Sequence, residues 1–433
     1  MLTGHTPAAE AAPTPSTPPP TPSAPPPGEP PAPARPVSTA RLGWLDALRG
    51  VAALVVALHH AAGNYMPGSR MRLTEWFDPG TFGVLVFFLV SGYIIPASLE
   101  RRGDLRRFWI SRAFRIYPLL LAVLAAGVVL VAAGGNRLNG AGGDQPAVIT
   151  FLAHATMLQD MLAVPNGVYV IWTLSYEMAF YLLVAGLFAA GLHRRSAGVA
   201  VALTALAVLL VTVAWGAEVS VRAGVNRTVV GAAAVMAVAV GLACTRRPVL
   251  ARAGAILGAV LAVALTVLNS RAATWEGLII LAVMFTGTAL YRAEHGQLQW
   301  RTALGAAGAV LAAAVGLGLY ANRSWGPGVT DWGAKRAWAS AVVLAALLFA
   351  AGMALRHRPM PRWLTWLGVV SYSVYLLHPV LLAALTTFYK PAEERPLMVL
   401  AFPLLLLPAA YLTYRAVERP MQNLGHRVAR RLT

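Results

Sequence analysis

From Arg41 onward the chain alternates long apolar stretches with short polar or basic links. Twelve stretches, at about 45–63, 81–99, 115–134, 169–192, 196–216, 228–244, 250–268, 275–291, 301–321, 337–355, 366–389 and 397–417, approach the roughly 20 residues that a membrane-crossing helix needs. The pattern predicts an all-α fold, a polytopic transmembrane helical bundle of about 10–12 spans. The middle stretches between 196 and 268 are uniform Ala/Val/Leu/Gly runs, which leaves ten or eleven true crossings open. The segment 147–162 is too short and polar to cross and reads as a re-entrant or interfacial helix on the outer side.

Composition agrees: 58% of the 433 residues are hydrophobic and 12% charged, which excludes an ordinary soluble domain. The net charge of +18 comes from Lys and Arg gathered in short links, above all 100–115. That is the positive-inside pattern, not a nucleic-acid surface, and it predicts both termini in the cytoplasm. Residues 1–40 hold 14 of the 30 prolines and no aromatic residue, so a disordered Pro/Ala-rich cytoplasmic tail is expected there. They contain no apolar core of a cleavable signal peptide. The membrane domain is expected over 41–420, with a short basic tail at 421–433. The single cysteine, Cys244, excludes an intrachain disulfide and a cysteine-based metal site.

Against this apolar background a few ionisable residues stand out, and ionisable groups at bilayer depth generally have a function. The first span carries Asp46, Arg49, His59 and His60. Arg49 and His60 are eleven residues apart, about three helical turns, so they share a stripe and lie roughly 16 Å apart along the axis. His59 points about 100° away. In the second span Gly83, Ser91 and Gly92 permit close helix approach. Arg112 and Arg115 share a face near the mouth of the third span, placed to grip a phosphorylated group together. The fourth span offers Glu177 with Thr173 and Tyr181 one turn away. The eleventh offers Ser371, Tyr375 and His378 on one stripe, for which interhelical hydrogen bonding is the plainer alternative. By depth, His60, Glu177 and His378 fall in the middle or outer half, and Asp46, Arg49, Arg112 and Arg115 near the cytoplasm. No residue set resembles a metal site or a phosphate-binding glycine loop.

At these residues the chain resembles acyltransferase family 3, the membrane O-acyltransferases. The motifs are L-D-x-L-R-G with the Arg49-to-His60 step, G-V-x-x-F-F-x-x-S-G at 83–92, R-x-x-R-I-x-P (Arg112, Arg115, Pro118), W-T-L-x-x-E-x-x-F-Y from Trp172 to Tyr181, S-Y-x-x-Y-L-x-H from Ser371 to His378, and V-E-R-P at 417–420. The resemblance covers about Arg41 to Pro420. It implies an acyl-CoA co-substrate, acetyl-CoA foremost, on the cytoplasmic side, with no bound cofactor. It also implies a carbohydrate or glycoconjugate acceptor, a place in the cell membrane, His60 as the catalytic histidine, and Arg112 and Arg115 as donor-binding residues. The chain departs from the family at Leu120, where a tyrosine often stands, and in its span count, the family core having about ten.

The expected chemistry is acyl transfer with His60 as general base or transient acyl carrier, Glu177 orienting it, and His378 and Tyr375 holding the acceptor or polarising the thioester. Arg49 would help Arg112 and Arg115 with the CoA phosphates. Asp46, Ser91, Trp172, Tyr181 and Ser371 are expected in support. The rival is a secondary transporter with a buried His/Glu/Arg proton relay. A scaffold recruiting partners through the proline-rich tail leaves those buried charges unexplained.

Overall fold

The computed structural model describes residues 1, 2 and 4, 40–136, 145–212, 217–269, 273–323, 329–389 and 391–431. Nearly all of the proline-rich segment expected to be disordered lies outside them. The body from Ala40 onward is all helix, with no strand among the described residues.

Among the described residues seventeen α-helices follow in order. The first five are α1 (Ala40–Tyr65), α2 (Pro67–Thr74), α3 (Pro79–Arg102), α4 (Leu105–Ala132) and α5 (Ala147–Thr156). Then come α6 (Trp172–Ala189), α7 (Ser196–Leu210), α8 (Glu218–Ala223), α9 (Val225–Ala243), α10 (Pro248–Leu268) and α11 (Thr274–Glu294). The chain closes with α12 (Trp300–Ala321), α13 (Asp331–Ala354), α14 (Arg362–Val369), α15 (Ser371–Phe388), α16 (Pro396–Thr413) and α17 (Arg419–Arg431). Among the described residues twelve stretches are long and apolar enough to cross a membrane, and they coincide with the twelve apolar runs of the sequence.

Several of them differ in extent; the run expected at 366–389 is broken, α14 ending at Val369 and the long α15 starting at Ser371. The third span begins at Leu105, ten residues ahead of the apolar pattern. Gly103, at φ +66°, ends α3, and the Asp104 carboxylate accepts the Arg106 and Arg107 N–H groups to start α4 at once. Arg112 and Arg115 therefore sit inside a helix rather than in a link before it. The last span runs on from α16 through a π-helical turn, Tyr414–Glu418, into α17.

Helices in a bilayer gain little from the hydrophobic effect on meeting each other, so close backbone approach at small residues carries the packing. Gly92 of α3 and Gly287 of α11 provide it: a Cβ at Gly92 would overlap the Met284 carbonyl, and one at Gly287 the Leu89 carbonyl. Gly50, the glycine of L-D-x-L-R-G, lets the backbone of α14 reach α1, where a Cβ would stand 2.8 Å from the Gly368 nitrogen. Gly83 likewise seats α3 against Ala52 and Val56 of α1. The packing role read from the second span's glycines is thus what they perform. Helices α1, α3, α6, α11 and α15 form the interior, and the Ala/Val-rich α7, α9, α10, α12 and α13 lie around it.

A buried ion pair between Arg292 of α11 and Glu100 of α3 ties these helices together where α1 begins; Arg292 also donates to the His193 carbonyl (2.7 Å) and Gln297 (3.0 Å). At the opposite end residues 145–171 fold as a cap of short helices around a polar network. Helix α5 stops at Met157 and two 3₁₀ turns lead directly into α6. Inside the cap Gln159 donates to Asn166 (3.1 Å) and to the Ile171 carbonyl (3.0 Å), and Asn269 donates to the Met161 carbonyl (2.8 Å). His154 accepts the Gly167 N–H at Nε2 (2.9 Å), so its Nδ1–H donates to the Thr150 carbonyl (2.8 Å). Burial pushes this histidine below its ordinary pKa.

Candidate active site

Helix α1 is unbroken from Ala40 to Tyr65, so Arg49 and His60 do lie three turns apart on one inward stripe. They open onto two different places, an arginine cavity near the start of α1 and a histidine pair near its end.

The cavity, about 100 Å³, lies between α1, α3, α4, α6 and α15. Arg49, Arg112, Arg115 and Glu177 line it, with Ser91, Thr173, Tyr372 and Tyr375 adding hydroxyls and Phe87 and Phe88 an apolar wall. Three arginines read as donor-binding from sequence thus meet in one space, although they come from two helices. Arg112 donates to the Ser98 hydroxyl (3.1 Å), and its guanidinium stands over the Phe108 and Tyr181 rings at 5.5 and 5.4 Å. Arg49 and Arg115 make no hydrogen bond or ion pair among the described residues. Their nearest countercharges are Asp46, Glu177 and Glu418. Two of these carboxylates are occupied by neutral donors. Tyr181 donates to Glu177, while Ser373 (2.8 Å) and Gln422 (3.0 Å) donate to Glu418. The N–H groups of Arg49 and Arg115 therefore line the cavity unused, and an oxygen-rich anion is the guest that would satisfy them.

At the other end of the stripe His60 Nδ1 lies 3.1 Å from His378 Nε2, with the rings stacked at 5.1 Å between centroids. The tautomers follow from one further contact. His378 Nδ1 is 3.1 Å from the Val374 carbonyl, which can only accept, so in the neutral ring Nδ1 carries the proton and Nε2 is bare. His60 Nδ1–H must then be the donor to His378, which leaves His60 Nε2 as a free lone pair. His378 is fully buried, whereas His60 is half-buried and reachable. Tyr169 packs against the His60 ring at 4.8 Å.

His59 is a different case. Arg70 Nη2 lies 3.1 Å from His59 Nε2 and, being able only to donate, occupies that lone pair; Asp78 stands 4.0 Å away. His60 therefore keeps a free basic nitrogen, while the basic nitrogen of His59 is taken.

Between the two places stands Tyr375, which lines the cavity and lies one turn before His378, their rings 6.0 Å apart. Its hydroxyl donates to the Val170 carbonyl (2.9 Å) and is 3.0 Å from the Thr173 hydroxyl. Ser91 lines the cavity; Trp172 packs edge-on to Tyr176; Ser371 is buried, its hydroxyl without a partner among the described residues. The contact expected between Glu177 and His60 is not formed. Glu177 belongs to the arginine cavity through Tyr181, and His378 takes the orienting place beside His60.

The model of the acyltransferase 3 family, an acyltransferase domain, matches residues 42–415. The chain belongs to acyltransferase family 3. Similar family relatives include the acyltransferase MdmB of Streptomyces mycarofaciens, 32% identical over 34% of this chain and 39% of that protein. A putative peptidoglycan O-acetyltransferase, YrhL, of Bacillus subtilis is 27% identical over 32% of this chain and 22% of its own length. The peptidoglycan O-acetyltransferase OatA of Listeria monocytogenes is also 27% identical, over 32% of this chain and 23% of its own. The matched stretch thus spans well under half of each of these relatives. No solved structure matches the chain.

Within this acyltransferase 3 chain, sequence reading passed over three residues that the fold brings to the site. Glu418 sits in the quoted V-E-R-P motif, and its place in the last span was the available signal. The π turn admits one extra residue after the buried positions Phe402, Leu406 and Ala410 and thereby turns Glu418 inward. Tyr169 and Arg70 carried no motif or periodicity that marks them.

Proposed function

We propose that this multi-pass membrane protein is an O-acyltransferase. It moves an acyl group, acetyl being the simplest, from acyl-CoA at the arginine end to a hydroxyl at the histidine end. The acceptor is a carbohydrate, a cell-envelope glycan or a glycosylated metabolite. The arginine end and both termini face the cytoplasm of the cell membrane, in keeping with the basic links that flank that end.

One observation carries the reading: a free imidazole lone pair stands three turns along the helix whose Arg49 opens on arginines with unoccupied N–H groups. A cavity of about 100 Å³ is smaller than the several hundred cubic ångströms of a usual cofactor pocket. The nucleotide therefore stays at the mouth on the arginines, and only the slender thioester arm extends the roughly 16 Å to His60. The named activities of the relatives, O-acetyl transfer in two of them, support the same chemistry. Family membership speaks against the transporter.

In the proposed step His60 Nε2 removes the acceptor hydroxyl proton as that oxygen attacks the thioester carbonyl. The tetrahedral intermediate collapses with cleavage of the C–S bond. The leaving thiolate takes the proton back from His60 Nε2, giving free CoA thiol and an ester. His378 holds His60 in the right tautomer and accepts its Nδ1–H throughout, the part a carboxylate plays in hydrolase triads. Proteoliposomes with acetyl-CoA on one side and glycan on the other test the arrangement. Ester should appear only when the donor is at the arginine end; transfer only with both substrates on the same side would refute it.

A further inference from the structure

The base at His60 can be approached from one side only. Its Nδ1 edge is closed by His378, which is fully buried, while His60, Gly63, Arg70 and Tyr169 all retain partial exposure at the same end of the bundle. Arg70 reaches this surface from α2 and lies along α1 over Gly63, where a Cβ would come within 3.3 Å of Arg70 Cδ and 3.5 Å of its Nε. Helix α2 is anchored at both ends. Glu394 accepts the Ser69 N–H (2.7 Å) and hydroxyl (2.5 Å), and Glu75 accepts the Thr330 N–H (2.7 Å) and hydroxyl (3.0 Å). Arg70 is thus carried on a fixed support.

Its hydrogen bonding is incomplete. Nη2 donates to His59, but Nε–H is buried without a partner, and Arg70 forms no ion pair among the described residues. Asp78, the carboxylate beside His59, is occupied in capping α3 through the Gly80 and Thr81 N–H groups and the Thr81 hydroxyl. Nη1 and the second Nη2 proton also have no partner among the described residues, and Arg70 is only half-buried, so an acceptor oxygen can meet them.

We infer that the surface formed by His60, Tyr169 and Arg70 is the acceptor subsite, and that Arg70 binds an oxygen of a neutral polyhydroxylated acceptor. This rests on the acyl-transfer reading above. Neutrality follows from the surroundings: Asp78 stands 4.0 Å from the same His59 nitrogen that Arg70 meets at 3.1 Å, so its charge offsets that of Arg70 and an anionic acceptor gains little. The Tyr169 ring beside the base offers an apolar face with a polar tip, which suits the alternating C–H and hydroxyl surface of a sugar.

The test uses the full-length protein in nanodiscs with acetyl-CoA as donor and methyl β-glucoside as acceptor probe, beside its carboxylated counterpart methyl glucuronide. Wild type should form the glucoside ester in preference to the glucuronide ester. Arg70→Ala should raise the KM for glucoside about tenfold or more and leave the KM for acetyl-CoA far less altered, with Arg70→Lys between them. Equal rises in both KM values would assign Arg70 a structural role and overturn the inference. So would an unchanged glucoside KM, a preference for glucuronide, or thiol release by wild type with no sugar ester at any glucoside concentration. A wild type that releases no thiol with any acceptor would instead bring down the acyl-transfer reading itself.

Discussion

The arginine cavity and the histidine pair share helix α1 yet are built on opposite principles. At the histidine pair each ring nitrogen but one is directed: Val374 fixes His378, His378 fixes His60, and a single lone pair remains. At the arginine cavity Glu177 is held by Tyr181 and the nearby Glu418 by Ser373 and Gln422, and the guanidinium groups of Arg49 and Arg115 are left without partners among the described residues. A place whose hydrogen bonds are all assigned is suited to moving one proton in a set direction. A place whose donors await a partner is suited to holding an anion. The difference separates chemistry from binding along about 16 Å of one helix.

That separation can be broken by substitution, and the largest effect is expected at His60. His60→Ala should lower thioester cleavage by about 10²–10⁴-fold, the usual worth of a positioned general base, with CoA affinity little changed. Loss of CoA binding instead, measured by titration calorimetry, would merge the two places into one. His378→Ala should lower kcat by about 10²-fold, because His60 loses the contact that sets its tautomer and ring orientation. A steady-state KM for acetyl-CoA that rises in its place would contradict an orienting role. Arg115→Ala and Arg49→Ala should each weaken CoA binding by about 10–100-fold, the range of one charge-assisted hydrogen bond, and Arg115→Lys should recover only part because it cannot grip bidentately.

The smallest effect concerns the cap beside the histidines. His154 is held neutral by burial, with its pKa depressed, so the folded protein resists taking a proton that the unfolded chain accepts. Its contribution to stability is complete above the unfolded value near pH 6.5 and declines as pH falls below it, toward the folded pKa. Thermal unfolding followed at about pH 7.5 and about pH 5.5 should show a steeper loss of Tm on acidification for wild type than for His154→Gln. Equal slopes would remove His154 from the account.

Much of this architecture was legible in the residues. The apolar runs located the twelve helices long and apolar enough to cross among the described residues, because length and composition are local properties of the chain. The eleven-residue step placed Arg49 and His60 on one face, because helical register is local and α1 is unbroken. Register gives depth and face, but it does not give the rotation of one helix against another. Glu177 was therefore assigned to His60 on depth, whereas α6 turns it toward Arg49 and leaves His60 to His378 of α15. Arg112 and Arg115 were read at the mouth of a span because the apolar pattern begins after them, while the Asp104 cap starts the helix earlier. Arg70 matters through a contact that only the folded α2 makes, and Glu418 through a π turn that no periodicity predicts.

The most direct test of the central claim compares His60→Ala with Arg115→Ala in the same nanodiscs, reading CoA binding and thiol release from acetyl-CoA side by side. If chemistry and binding are separate, His60→Ala binds CoA as wild type does and releases no thiol. Arg115→Ala then binds weakly but regains thiol release at high acetyl-CoA. Full thiol release from His60→Ala, or no recovery of Arg115→Ala at saturation, would contradict the division of labour along α1.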